Sequence, residues 1–430
     1  MTPTTTTRSV PRRGVIAAVS LGFAAIIFDG YDLIVYGSAV PQLLTYPDWG
    51  LTPTQAGVIG SYALLGAVIG ALTSGYLTDV LGRRRLFIAC VAWFSIMMLL
   101  AAFAPGPWWL GLFRFLAGLG FGGIPPTAVA LVVEVAPAGR RNFVNALMLC
   151  GFPVGGVLAA VMALLALEPL GFRALFAFGA LPLITIVPLS LWLLPESPNY
   201  VRRTRDTRAG SRADQKNVIV GLLRGRAGLA LALFVVTNFC SFLLVFGLNT
   251  WLPQLMRQAG YALGSALAFL LVLNLGAVVG GLIGSALADR LGSRWVATVM
   301  FALAVASLGM IAVPSSTAVL FLLVFVAGAA TTGTQVVVYG YVAGHFAALQ
   351  RATALGVSTG VGRLGAVAGP VIGGALVAAG AGLALNVGLF AAVAAVGALA
   401  CACVPVLRNA REDASATADV PIDTDIVTAN

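Results

Sequence analysis

Charged side chains are scarce in this sequence: 9% of its 430 residues, against about 25% in a soluble globular chain. Histidine is nearly absent, with His345 the only one, and Lys216 is the only lysine. The five cysteines (Cys90, Cys150, Cys240, Cys401 and Cys403) show no ligand spacing with His345, so a zinc-type centre is excluded. They all lie in apolar runs and read as small packing residues. A membrane-embedded enzyme would need a nucleophile–base pair or a metal cluster, and neither is available. An ATP-driven pump would need Gly-x-x-x-x-Gly-Lys-Ser/Thr, but Lys216 sits in a polar, arginine-rich stretch. No cofactor is therefore expected.

What the chain has in abundance is apolar sequence. Hydrophobic residues make up 60%, in repeated runs of roughly twenty or more, each long enough to cross a bilayer. The expected fold class is an all-α polytopic membrane protein with the bilayer as its solvent. The net charge of +10 comes largely from arginine clusters between apolar runs. That is the positive-inside pattern rather than a nucleic-acid footprint. Arg8, Arg12 and Arg13 place a polar N-terminal arm (1–14) in the cytoplasm of a cell whose plasma (inner) membrane holds the protein. A cleavable signal is not expected, because the first apolar run is long and carries two aspartates.

Twelve spans are predicted. The first six fall at about 15–44, 53–78, up to 104, 108–135, 141–167 and 172–194. A basic linker (195–226) follows, with eight basic residues from Arg202 to Arg226 against Asp206 and Asp214. Six further spans fit at about 227–257, 263–288, 294–313, 317–344, 350–378 and 382–407, before a polar cytoplasmic tail (408–430). Pro125 and Pro126 are expected to break the backbone ladder of the fourth span. An internal repeat supports the division into bundles at 15–194 and 227–407. Asp79-Val-Leu-Gly82 matches Asp289-Arg-Leu-Gly292 at an offset of 210 residues, which also aligns Phe115 with Phe325, Gly118 with Gly328, Arg141 with Arg351 and Gly155 with Gly365.

Intramembrane polar groups are few. Asp29 and Asp32 lie three residues apart in the first span, within roughly 60° of each other on a helix. Carboxylates at that depth mark an ion or substrate path, or else lock two helices together. Arg114 sits in the outer part of the fourth span, and Glu134 lies roughly 30 Å below it, so these two cannot pair. Arg363 is twelve residues beyond Arg351 and thus near mid-depth in the eleventh span. His345 closes the tenth, as a polar cap or a proton relay. Arginine suits a carboxylate because its planar fork matches the two oxygens and it stays charged when buried. Arg363 is the first choice for binding an anion, with a permanent ion pair to the other half as the alternative. Arg114 either neutralises Asp29 or Asp32 or contacts substrate. A carboxylate buried beside another can carry a proton, so an anion that engages an arginine could drive proton uptake by the pair.

Gly75-Tyr-Leu-Thr-Asp79-Val-Leu-Gly82-Arg83-Arg84-Arg85 resembles the loop between spans two and three of the major facilitator superfamily. It departs at Val80, where an arginine is usual; the second-half copy has Arg290. Asp29-Gly-Tyr-Asp-Leu-Ile-Val-Tyr-Gly37, Gly60-Ser-Tyr-Ala-Leu-Leu-Gly66, Gly247-Leu-Asn-Thr-Trp-Leu-Pro253 and Tyr261 are similar to the aromatic acid:proton symporter family, most like its benzoate transporters. The resemblance implies two six-helix pseudo-repeats, alternating access and a monomer that imports a small aromatic carboxylate with protons. It implies a cavity lined by spans one, four, seven and ten. Tyr31, Phe239, Phe242, Trp251 and Tyr339 are then ring candidates, and Asn238, Asn249 and Gln335 polar ones. It also implies gating by Gly75, Asp79, Gly82, Arg83, Arg84, Arg141, Asp289, Arg290, Gly292 and Arg351. Glu134, with Arg140 and Arg141, resembles an inner-gate position, against the plainer reading of a surface ion pair. A proton-coupled exporter of drugs or metabolites with the same fold is the alternative, although buried arginines favour anions.

Overall fold

A computed structural model describes residues 12–135, 148, 150–194, 225–313 and 315–405. The chain is helical throughout these residues. The first half contains α1 (Arg12–Leu43), α2 (Pro53–Leu81), α3 (Arg83–Ala102), α4 (Pro107–Val135), α5 (Gly151–Gly179) and α6 (Ile186–Leu193). The second contains α7 (Gly225–Gln258), α8 (Leu263–Leu291), α9 (Ser293–Ile311), α10 (Thr317–His345), α11 (Ala348–Gly362), α12 (Leu364–Ala378) and α13 (Leu383–Ala402).

Eleven helical segments among the described residues are long and apolar enough to cross a membrane. One of them, Gly151–Leu193, has 43 residues. Straight, it would reach roughly 65 Å, about twice the hydrocarbon thickness. It cannot stay straight: Gly171 takes φ 75°, ψ 174° inside α5, and the 3-10 turn Leu181–Leu183 separates α5 from α6. The segment therefore makes two crossings, and the architecture has twelve.

The repeat seen in the sequence is also a repeat of structure. Helices α8 and α10 begin and end 210 residues after α2 and α4. The tight turns that follow α2 and α8 use Gly82 at φ 83° and Gly292 at φ 89°, a region that penalises any side chain. The start of α2 is set locally by a capping box: Thr52 Oγ1 accepts from Gln55 N at 3.3 Å and Gln55 Oε1 accepts from Thr52 N at 3.0 Å, with Pro53 at the first helical position.

One expectation fails. Helix α4 runs unbroken through Pro125 and Pro126; neighbouring helices and local adjustments accommodate backbone groups that proline frees in a membrane helix. The eleventh span crosses once, as expected (Thr353–Ala378), as two consecutive helices that join at Arg363, whose φ of −60° and ψ of −18° stay helical. The linker, most of the N-terminal arm, the tail and the inner end of the fifth span (with Arg140 and Arg141) lie outside the described residues.

The halves meet on one side. At the end where α1 finishes and α2 begins, Ser61 Oγ donates to Val367 O at 2.6 Å, and a Cβ on Gly57 of α2 would stand 2.5 Å from Pro370 O of α12. Helix α12 packs on α2, while α11 packs on α7 and α10 within its own half. Arg363, at the joint of α11 and α12, therefore falls where the eleventh span leaves the seam.

Candidate functional site

The two carboxylates of α1 part company. Asp32 is fully buried within the first half, where Gly179 leaves space for it: a Cβ there would stand 2.1 Å from Asp32 Oδ1. Arg114 of α4, 1% exposed, donates from Nη1 to the Asp32 main-chain oxygen at 3.4 Å and interacts electrostatically with its carboxylate. Its guanidinium carbon lies 4.6 Å from the Tyr36 ring centroid, a cation–π contact. Of the two carboxylates open to Arg114, the structure supplies Asp32. Gly179→Ala is expected to cost roughly 1–3 kcal/mol, the usual penalty for overfilling a packed interior. A thermal melt in detergent reads this as a lowered Tm; an unchanged Tm refutes the tight fit of Asp32 against this helix.

Asp29 faces the seam. It is 4% exposed, and the cation acting on it is Arg363 of the second half. Arg363 lies at the joint between α11 and α12. Gly362 brings this joint against α7, because a Cβ there would sit 2.5 Å from Asn238 Cβ. Tyr339 of α10 also interacts with Arg363, and its hydroxyl accepts from Gln335 Nε2 at 3.2 Å.

Aromatic side chains continue from Tyr339. Its ring lies 6.5 Å from Phe242, and Phe242 stacks at 6.3 Å and 16° on Phe246, one turn along α7. Phe246 meets Phe152 of α5 edge-on at 6.0 Å. Leu64, Val245 and Ala366 complete this apolar cluster, which is distinct from the main core. Phe152 in turn lies against α1: a Cβ on Gly30 would stand 2.1 Å from the Phe152 carbonyl oxygen. Contacts thus run from Tyr339 through Phe242, Phe246 and Phe152 to Gly30, beside Asp29, and the charge of Arg363 acts on both ends of this run. Such a site offers a charged pair at one place and flat apolar surfaces alongside it.

The other residues singled out from the sequence fall elsewhere. Tyr31 is a correction to the ring candidates. It is fully buried, donates from its hydroxyl to Leu175 O at 2.8 Å and packs on Phe178 at 5.2 Å, because its position on α1 points into the first half. Trp251, fully buried, is spent on the bond from its Nε1 to Pro370 O at 2.8 Å within the second half. Asn249 donates to Val245 O at 2.7 Å and accepts from Asn274 at 2.9 Å, tying α7 to α8. Asn238 donates to Phe234 O at 3.0 Å, and its Oδ1 is buried without a protein donor. His345 meets Phe234, Tyr341 and Phe346 edge-on.

Among the loop residues, Arg84 Nη2 donates to Leu191 O at 2.6 Å, and Asp289, Arg290 and Arg351 are exposed. Glu134 falls in the last turn of α4, Gly75 and Asp79 near the end of α2, and Arg83 opens α3. Among the described residues no group of three or more His, Cys, Asp or Glu could hold a metal ion. Phe152 and Phe246 were missed from the sequence. Phe246 is four residues after Phe242, on the same helix face, and Phe152 follows Gly151 in a glycine-rich helix start, but neither signal separates a ligand-facing ring from core.

Comparison with known proteins fits this geometry. The chain matches the Major Facilitator Superfamily over residues 22–281 and 269–422. It is 38% identical to a gentisate transporter of Corynebacterium glutamicum over 95% of this chain and 90% of the relative. It is 34% identical to a benzoate transport protein of Acinetobacter baylyi over 83% and 82% of the respective chains. In fold it resembles a D-xylose-proton symporter with a TM-score of 0.73, at 18% identity over 92% of this chain and all of that one. These relatives are transporters rather than enzymes. The chain is a multi-pass membrane protein that belongs to the major facilitator superfamily, in its aromatic acid:proton symporter family.

Proposed function

We propose that the protein imports a small aromatic carboxylate, of the benzoate or hydroxybenzoate type, by symport with protons. The observation that carries this reading is the buried Asp29, its Oδ1 without a protein donor, in the electrostatic field of Arg363 from the other half and beside an aromatic run. In this reading Arg363 binds the carboxylate head, and Tyr339, Gln335, Phe242 and Asn238 lie along the ring. An arriving anion takes Arg363 away from Asp29. Asp29, then without its cation, carries a proton instead. Loaded with both, the seam holds no net uncompensated charge and the halves can rock about it. Asp32 with Arg114 serves as the fixed partner pair of the first half, and Glu134 with Arg141 as an inner gate. The loops from Gly75 to Arg84 and from Asp289 to Gly292, with Arg351, control closure on that side. The proton gradient is the energy source, and the protein works as a monomer.

The bundles are residues 15–194 and 227–407, joined by the basic linker 195–226. Its charge places the linker and both termini in the cytoplasm, at the inner membrane. The closed side of the seam, marked by Ser61–Val367, is then the outer one, and the structure faces inward.

Uptake of labelled benzoate, 4-hydroxybenzoate and gentisate into proteoliposomes tests the reading. An inward proton gradient is expected to concentrate at least one of them, and a protonophore to abolish the accumulation. Movement of a lipophilic cation against the gradient, with no acid accumulated, overturns the reading in favour of an exporter.

A further inference from the structure

We infer that Phe152 and Phe246 form a two-sided aromatic clamp that selects for the π face of the substrate ring; this rests on the carboxylate-importing role proposed above. Phe152 comes from α5 of the first half and Phe246 from α7 of the second, and they meet edge-on at 6.0 Å. Both belong to the small cluster held apart from the main core. That cluster also contains Leu64 from α2 and Ala366 from α12, so four helices from both halves converge on the pair.

Position ties the pair to the charge site. The main chain of Phe152 is pressed on Gly30, the residue after Asp29. Phe246 stacks on Phe242, and Phe242 reaches Tyr339 beside Arg363. In this reading a carboxylate held at Arg363 has its ring along these faces. Phe152 keeps partial exposure in the interior of the molecule, which leaves surface for a third ring.

An aromatic pair gains from quadrupole complementarity as well as from buried area. An aliphatic ring of the same size gains only from the area. A ring seated on one face from each half also bridges the seam, and parting the halves splits the clamp and frees it. Substrate choice and the alternating motion thus share the same two side chains.

The test is competition of benzoate and cyclohexanecarboxylate against labelled benzoate in proteoliposomes containing the full chain. Both competitors carry the same head group, and only one has a π face. Wild-type protein is expected to prefer benzoate by about tenfold, the upper range of an aromatic pair contribution. Phe246→Leu and Phe152→Leu are each expected to bring that ratio below about threefold on the same scale, and Phe246→Tyr, which keeps a ring, to retain it. The ratio is internal to each preparation, so the amount of folded protein does not enter. Should Phe246→Leu not fold, Phe152→Leu on the other half carries the same prediction. A wild-type preference that persists in both leucine variants overturns the clamp and leaves the importing role intact. Absence of benzoate binding to the wild type overturns both.

Discussion

Arg363→Gln is expected to lower benzoate uptake by about two orders of magnitude at subsaturating concentration. Removing one member of a desolvated charge pair at a binding site typically costs 2–5 kcal/mol, and Arg363 is only partly buried, which argues for the lower part of that range. About 2.7 kcal/mol corresponds to a hundredfold. Arg363→Lys keeps the charge but loses the planar fork that meets both carboxylate oxygens, so it should fall between glutamine and wild type. The same change leaves Asp29 without its cation. Asp29→Asn combined with Arg363→Gln should accordingly be less damaged in folding and membrane yield than the sum of the two single changes, as coupled neighbours are. Uptake by Arg363→Gln within a few-fold of wild type would remove the arginine from the anion site.

The two aspartates should fail in different ways. Asp29→Asn is expected to abolish accumulation against a gradient while exchange of labelled for unlabelled benzoate continues, because the carbonyl and amide keep the shape at the seam but cannot carry the proton. Asp32→Asn is expected to lower stability instead. It leaves Arg114, 1% exposed and with Nε lacking a protein partner, as an uncompensated buried cation. The Arg114 hydrogen bond to the Asp32 main-chain oxygen survives the change, but a buried cation that loses its opposite charge is destabilising, which should appear as a drop in Tm or loss of folded protein. Accumulation ratios, counterflow and thermal melts on the two single variants separate the cases. Full uphill uptake by Asp29→Asn would sink the proposed proton role.

Much of this protein was legible before any coordinates. A 60% apolar chain with 9% charge has few ways to satisfy its backbone in a bilayer other than helices, and span limits followed from the lengths of the apolar runs. The 210-residue repeat emerged again as helices α2 and α8, and α4 and α10, of equal length and spacing. The choice of Asp29, Asp32, Arg114 and Arg363 as the groups to watch followed from the cost of each charge at that depth.

Other features lay beyond one-dimensional reading. Three residues on one helix put Asp29 and Asp32 on neighbouring faces, but the neighbour on each face is a property of packing. Gly179 and Arg114 surround Asp32 in the first half, and Asp29 meets Arg363 from a segment more than three hundred residues away in sequence. Tyr31, between them, turns inward to Leu175. The continuity of α4 through two prolines depends on neighbouring helices. Phe152 and Phe246 looked like ordinary core rings because their apposition joins two halves that no local pattern relates.

The sequence by itself therefore determined the class of protein, the number of crossings, the duplication and the identity of the buried charges, since each of these follows from the energetics of single segments in hydrocarbon. Only the tertiary structure decided which carboxylate belongs to the interior of one half and which to the seam, because that depends on which helices lie side by side.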